Sequence, residues 1–372
     1  MIPLFKPSYD EEELNALRGP FASGWIGLGP KTKEFEDAFA GYIGVKHAVG
    51  MNSATAALHL ACHVAEISGR EVITTSMTFV STNHAILYNN GIPVFCDIEQ
   101  DTCNMDISKV EELITPQTKA IIVVHYGGYA VDMHRVMDLA RKHNLTVIED
   151  AAHAAGGELD GRKLGGIGHL GCFSFHAVKN LACGEGGMVT TNDARIDDRL
   201  RKLRWMGISK DTFSREDQTT HKYSWYYDVV ELGFKCHMND IPAAIGLVQL
   251  GKLERTNARR GAIVATYNAG LAGVGDIEVP VRKQYMTKPA YHNYVIKTSR
   301  RDALHEFLKE RGISTGVHYY PNHLYDMYKP YSRPLPVTEA VWKRLLSLPL
   351  FPDLTDDSVG MVIAAVKEFF SR

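Results

Sequence analysis

From about residue 34 to 250, apolar positions alternate between a helical period and short β-branched runs. Phe35, Phe39 and Tyr42 fall on one helical face, and Thr55 to Val64 reads as a further helix. Glu71-Val72-Ile73-Thr74-Thr75 then reads as a strand, Phe79 to Tyr88 as a helix, and Pro93-Val94-Phe95-Cys96-Asp97 as a strand. Lys119 to Val124 and Leu145 to Glu149 are mainly apolar runs that read as buried strands. The amphipathic segment Met133 to His143 separates them. Such alternation predicts an α/β fold, a mainly parallel mixed sheet covered by helices.

The pattern changes near residue 240. Asn239-Asp240-Ile241-Pro242 has a capping side chain followed by proline in the first turn, and Ile241, Ala244, Ile245 and Val248 repeat at helical spacing. Beyond it come a strand at Tyr294-Val295-Ile296-Lys297, a helix from Arg301 to Arg311 and a strand from Ile313 to His318. A proline-rich loop follows, then a helix ending near Phe370. The expected division is a large domain over 1–250, including the N-terminal segment, and a smaller C-terminal α+β domain over 251–372. There is no internal repeat and no low-complexity tract.

Composition narrows the classes. Of 372 residues, 45% are apolar and 23% charged, the balance of a globular chain with a substantial core. A net charge of −2 and a pI near 6.8 argue against general attraction to nucleic acid or anionic membranes. Cys62, Cys96, Cys103, Cys172, Cys183 and Cys236 lack CxxC or metal-ligand spacing, so reduced thiols and a cytoplasmic protein are expected. No stretch has the roughly 18 uninterrupted apolar residues of a membrane span.

The candidate chemistry starts at Lys179. It follows the strand-like run Gly171 to Phe175 and precedes the turn Cys183-Gly184-Glu185-Gly186-Gly187. Asp150 ends the buried run Leu145 to Glu149. A Lys and an Asp near the C-terminal ends of two strands are the pair that pyridoxal 5'-phosphate needs. The amine forms a Schiff base with the aldehyde, and the carboxylate keeps the pyridine nitrogen protonated.

Further residues fit a flat phosphorylated cofactor. Asn52-Ser53-Ala54-Thr55 opens a helix, which suits either an ordinary Ser53 N-cap or a phosphate on free N–H groups. Ser174 is a second hydroxyl near Lys179. Phe79 fits a core aromatic or a ring stacked on the pyridine. His153, three residues after Asp150, fits a structural role or a contact near the cofactor. Gly166-Ile167-Gly168-His169-Leu170-Gly171 matches the dinucleotide fingerprint in letters only, since it runs into a strand instead of opening a helix. It reads as glycine turns joining two strands.

Taken together, the chain resembles the DegT/DnrJ/EryC1/StrS family of sugar aminotransferases, within the fold type I aspartate aminotransferase superfamily. The stretches that carry the resemblance are SGWIGLGPKTKEFE (23–36), NSATAALHLA (52–61), SMTFVSTNHAI (76–86) and VIEDAAHAAGG (147–157). CFSFHAVKNLACGEGGMVTTND (172–193), GFKCHMNDIPAAIGLVQLGKL (233–253), TGVHYYP (315–321) and LSLPLFPDLT (346–355) continue it in family order.

The resemblance implies pyridoxal phosphate on Lys179, Asp150 at the pyridine nitrogen and Phe79 on the ring. It puts His153 close by and Ser53, Ala54, Thr55 and Ser174 around the phosphate. It also implies a homodimer with shared active sites, in which Lys235 reaches the neighbour's phosphate, and it places His318 and Tyr319 near the sugar nucleotide.

The reaction so implied moves an amino group from L-glutamate, through pyridoxamine 5'-phosphate, to a keto group of a nucleotide-linked deoxysugar. C4 is favoured and C3 is the alternative. The pathway so implied is lipopolysaccharide, capsule, glycan or antibiotic synthesis. Trp25, Tyr126, Trp205 and His318 are candidate specificity residues, and Gly27-Leu28-Gly29-Pro30 departs from a commoner threonine-containing version. The stretch Thr212 to Tyr227 reads as a loop over the site or a plain surface excursion. The rival readings are a sugar dehydratase, in which His replaces the Schiff-base Lys, another fold type I enzyme, and a non-enzymatic relative.

Overall fold

Each apolar run in the first half of the chain becomes a strand buried along most of its length. A computed structural model describes residues 1–209 and 227–372. The strands are β1 (His47–Met51), β2 (Glu71–Thr75), β3 (Ile92–Cys96), β4 (Thr118–Val124) and β5 (Thr146–Asp150). A short hairpin, β6 (Glu158–Leu159) and β7 (Arg162–Lys163), precedes β8 (Leu170–Ser174) and β9 (Gly187–Thr191). Seven of them form one sheet in the order β1-β9-β8-β5-β4-β2-β3. β9 runs against both its neighbours and the remaining pairs are parallel.

Alternate residues of the central strands enter different cores, as a period of two requires. Ile121, Val123 and Val147 join one core with Phe35, Phe39, Phe173 and Phe175. Ala120, Ile122 and Ile148 join another with Leu58, Leu60 and Val72 on the opposite face. In the first core the Phe39 ring meets Phe173 edge-on at 4.9 Å and Phe175 at 5.3 Å. Burial of each such side chain contributes about 1.5–3 kcal/mol.

The helix Asp240–Leu271 joins the two parts of the molecule. Ala243 and Leu253 pack in the large core, while Ile263, Val264, Tyr267 and Leu271 belong to a separate C-terminal core. Residue 250, the expected boundary, therefore falls inside a continuous helix. The C-terminal part holds the antiparallel pair β10 (Tyr294–Lys297) and β11 (Leu345–Leu348), with the helices Arg301–Glu310 and Asp356–Ser371. The first residues of the chain also pack here, since Ile2 bridges Ile313 and the Leu350 N–H donates to the Leu4 carbonyl.

Two expectations are corrected or redirected. Ile313 to His318 forms no strand: Ile313 pairs singly with Ile2 and Gly316 with Ser347, so no ladder can propagate. Gly27 to Pro30 serves a helix start. The buried Asp240 carboxylate accepts from the N–H groups of Gly29 and Lys31 (both 3.0 Å) and Thr32 (2.8 Å), capping Pro30–Ile43 from a distant segment. A Cβ on Gly29 would sit 2.7 Å from that carboxylate. Gly166 to His169 turns between β7 and β8, and Leu170 and Gly171 open β8. Most of the stretch 212–227 lies outside the described residues. All six cysteines are free and buried. Among the described residues no helix is long and apolar enough to cross a membrane, and no group of side chains has the makings of a metal site.

Candidate active site

Parallel strands of an open α/β sheet direct their C-terminal ends at a common crevice. Asp150 is the last residue of β5, and Lys179 lies five residues beyond the end of β8. Both line a cavity of about 410 Å3, with Ser53, Phe79, His153 and Tyr319 on its other walls.

Asp150 is buried and held by two donors. The Thr82 hydroxyl donates to Oδ2 at 2.7 Å and the Ala152 N–H to Oδ1 at 3.1 Å. Burial nonetheless raises its carboxyl above the ordinary range, outweighing Thr82, Ala152 and the Lys179 charge. Lys179 leaves part of its side chain open to the cavity, but the surrounding protein desolvates the amine. Burial brings its pKa down to about 8, against the pull of Asp150. A cationic pyridinium beside Asp150 and a carbonyl carbon beside Lys179 would relieve both groups.

The start of the Ala54–Val64 helix has the donors that an anion needs. Ser53 is its N-cap, its hydroxyl accepting from the Ala56 N–H at 3.1 Å, and it also lines the cavity. The first-turn N–H groups of Ala54 and Thr55 have no intrahelical acceptor and meet the positive end of the helix dipole. Thr55 shares a hydrogen bond with Ser81 at 2.8 Å. Gly187 keeps β9 close to this turn, since a Cβ there would lie 2.4 Å from the Ser53 carbonyl carbon. Ser174 lines the same cavity, its hydroxyl accepting weakly from the His176 N–H at 3.4 Å.

A ladder of rings closes the far wall. The His153 and His292 rings stack at 4.3 Å, and Phe5 stacks on His292 at 5.5 Å. His153 Nε2 is 3.0 Å from the Tyr319 hydroxyl, and His292 Nδ1 is 3.0 Å from Asn180 Oδ1, next in sequence to Lys179. Burial and the Lys179 charge keep His153 well below its ordinary pKa, and they bring His318 down to about 4. His153 Nδ1 is buried without a partner. Phe79 is 58% exposed, so it is no core aromatic. Its ring faces the cavity, 6.2 Å from that of Tyr319.

Of the residues singled out from sequence, Lys179, Asp150, Ser53, Ala54, Thr55, Phe79, His153, Ser174, His318 and Tyr319 share this cavity. Trp25 and Lys235 do not line it. The exposed Lys235 amine lies over the Trp205 ring at 3.1 Å. Sequence reasoning missed Thr82, Phe5 and His292. Thr82 lies in the first turn of the helix Val80–Tyr88, directly after Phe79, and that proximity was the available signal for it. Nothing local marks the other two. The donor set fits pyridoxal phosphate: a buried carboxylate for the ring nitrogen, a desolvated amine for the aldehyde and a helix start for the phosphate.

Fold and cavity together define a pyridoxal-phosphate enzyme. The sequence profile of the DegT/DnrJ/EryC1/StrS aminotransferase family matches residues 7–367, and the chain belongs to that family. It is 41% identical over 383 residues to the uncharacterized protein MJ1066 of Methanocaldococcus jannaschii, covering 100% of this chain and 98% of that one. The crystal structure of the aminotransferase TlmJ from Streptoalloteichus hindustanus superposes with a TM-score of 0.94 at 35% identity, over 100% and 99% of the two chains. The putative sugar aminotransferase Spr1654 of Streptococcus pneumoniae, in its pyridoxamine-phosphate form, gives 0.93 at 32% identity over 100% and 99%. The same protein is also known in a pyridoxal-phosphate form.

Proposed function

We propose that this aminotransferase moves the amino group of L-glutamate to a keto carbon of a nucleotide-linked deoxysugar, at C4 in preference to C3. It would act as a cytoplasmic homodimer, with Lys235 of each subunit serving the neighbour's phosphate site. The observation that carries this reading is the meeting of a desolvated Lys179 and a buried Asp150 on the walls of one cavity beside an open helix start. Similarity to a putative sugar aminotransferase over the full chain supports the acceptor class.

Pyridoxal phosphate, when bound, supplies a ring that accepts the electron pair left behind as a proton departs from the amino-bearing carbon. The protein's own groups do the rest. Asp150 holds the proton on the ring nitrogen. Lys179 would hold the aldehyde carbon, and a pKa near 8 leaves a useful neutral fraction of its amine at physiological pH. When not attached to the cofactor, that amine would take the proton from the amino-bearing carbon and give it to the former aldehyde carbon, across the intervening nitrogen. The Ala54 and Thr55 N–H groups, with Ser174, orient the phosphate. Phe79 covers one ring face and excludes water. In the first half-reaction glutamate leaves as 2-oxoglutarate; in the second the keto sugar leaves as the amino sugar.

The test begins with the purified protein and added pyridoxal phosphate. A visible band that L-glutamate bleaches, and a cofactor that borohydride reduces irreversibly onto Lys179 with loss of that band, are the expected results, with Lys179→Ala showing neither. Keto-sugar nucleotides are then screened as acceptors by product mass. A band that glutamate leaves unchanged would sink the donor assignment. Failure of every nucleotide-linked sugar to restore the band, while another ketone does, would sink the acceptor assignment.

A further inference from the structure

The segment that carries Tyr319 is fastened to the large domain by a buried polar joint, and the joint ends at the cavity. Asn322 and Asn83 are 1% and 0% exposed. The Asn83 amide donates to Asn322 Oδ1 at 2.8 Å and to the Thr75 carbonyl at 3.0 Å, while Asn83 Oδ1 accepts from the Thr74 hydroxyl at 2.8 Å. The Asn322 amide donates to the Thr78 carbonyl at 2.9 Å, and its backbone N–H to the Ser76 carbonyl at 2.9 Å. Next along, the His323 backbone N–H donates to the Ser76 hydroxyl at 3.1 Å, and His323 Nδ1 lies 2.6 Å from the same hydroxyl. Both asparagine side chains thus spend every oxygen and most of their donors across one junction.

Each end of the junction is next to a cavity residue. Thr78, whose carbonyl Asn322 grips, precedes Phe79, and the Thr78 hydroxyl is 2.8 Å from that of Thr82. Thr82 donates to Asp150. Three residues before Asn322 is Tyr319, which bonds His153. Pro321 stiffens the link between them. Moving Asn322 would therefore displace Tyr319 on one side and the Thr78–Phe79–Thr82 turn on the other.

We propose that Asn322, with its partner Asn83, is a positioning residue for the transamination. It sets Tyr319 and Phe79 against the cofactor ring and holds Thr82 in line with Asp150, so it tunes the Lys179–cofactor bond from outside the cavity. This rests on the function proposed above. Neither asparagine lines the cavity, so the effect is transmitted through the hydrogen bonds named.

The experiment compares wild type, Asn322→Ala and Asn83→Ala as full-length holoproteins at saturating pyridoxal phosphate, well below each melting temperature. Asn83→Ala approaches the joint from the other side, should Asn322→Ala fold poorly. Three quantities are read per bound cofactor: the pH midpoint of the visible band, the cofactor dissociation constant and the kinetics of each half-reaction. In both variants the pH midpoint is expected to move by about half a unit, since Asp150 and the ring change their contacts. The kcat/KM for the sugar half-reaction should fall on the order of 10²-fold, as for a misplacement of about 1 Å. Variants that melt earlier but match wild type in midpoint, cofactor affinity and both half-reactions would reduce the joint to a structural one and overturn the proposal. A wild type that forms no visible band would instead sink the function on which it rests, and the proposal with it.

Discussion

Glu149 and Asp150 are neighbours on one strand, both carboxylates, both buried, and they face opposite sides of the sheet. Glu149 points toward the turn of Gly165 to Gly168. The N–H groups of Gly165 (2.8 Å) and Ile167 (2.7 Å) donate to it, as does that of Gly168. His125 Nε2 adds a fourth contact at 2.9 Å, while the Val131 N–H donates to His125 Nδ1, which leaves the ring proton on Nε2. Burial alone would push Glu149 up, but His125 and these N–H groups hold it below the usual carboxylate range. Asp150 has only two donors and stands above that range. A carboxylate whose lone pairs are all taken up by protein is a strut. One with acceptance to spare, facing a cavity, is available to a ligand.

The largest effect should come from Asp150→Asn, which keeps the shape but cannot hold the ring proton. Turnover is expected to fall about 10³-fold, comparable to losing a preorganised electrostatic contact in other enzymes, with the melting temperature nearly unchanged. Glu149→Ala should do the reverse. It strands His125 and three N–H groups in the interior, costing on the order of 3 kcal/mol or more in denaturant unfolding, while kcat per folded molecule stays close to wild type. If Glu149→Ala abolished kcat in fully folded protein, the division between strut and ligand would be wrong.

Thr82→Val removes one hydroxyl from Asp150 and should cost about tenfold in kcat, the equivalent of one ordinary hydrogen bond. It should also raise the Asp150 carboxyl further, visible as a shift in the pH profile of cofactor binding.

The smallest and most diagnostic effect is in pH. Glu149 has a folded pKa below its unfolded one, so its stabilisation is present above the unfolded value and is lost as pH falls through the folded value. Asp150 in the cofactor-free protein has the opposite sign: its raised pKa opposes stability at neutral pH, and acid relieves that cost. Acid unfolding of the cofactor-free protein should therefore weaken in Glu149→Gln and steepen in Asp150→Asn. Lys179 supplies an upper limb. Because burial lowers it to about 8, the rate of cofactor attachment should rise as pH passes through that value and then level off.

Much of this comparison is legible in the residues. The runs ending at Asp150 and preceding Lys179 are short, apolar and flanked by turns, so local periodicity places both groups at strand ends. That Glu149 faces away from Asp150 follows from a strand period of two. What local pattern does not carry is the far wall of the cavity. Phe5 lies hundreds of residues before His292 and Tyr319, and none of the three sits in a periodic run. The expected strand from Ile313 to His318 fails for the same reason. Its β-like character is local, but a strand exists only where a neighbour runs alongside, and the chain offers two partners for one residue each.

Most strands and helices of the large domain, and the placing of Asp150 and Lys179 near strand ends and of Ser53 at a helix start, were determined by sequence alone. Each depends on residues within a few positions of one another, where covalent geometry dictates which side chains share a face. The tertiary structure alone decided that Asp240 caps a helix some two hundred residues away, that Glu149 is spent on a turn while Asp150 is left for a ligand, and that Asn322 joins the two walls of the cavity. Those outcomes depend on which donors the folded chain brings within hydrogen-bond reach, and buried polar groups select their partners by proximity in space.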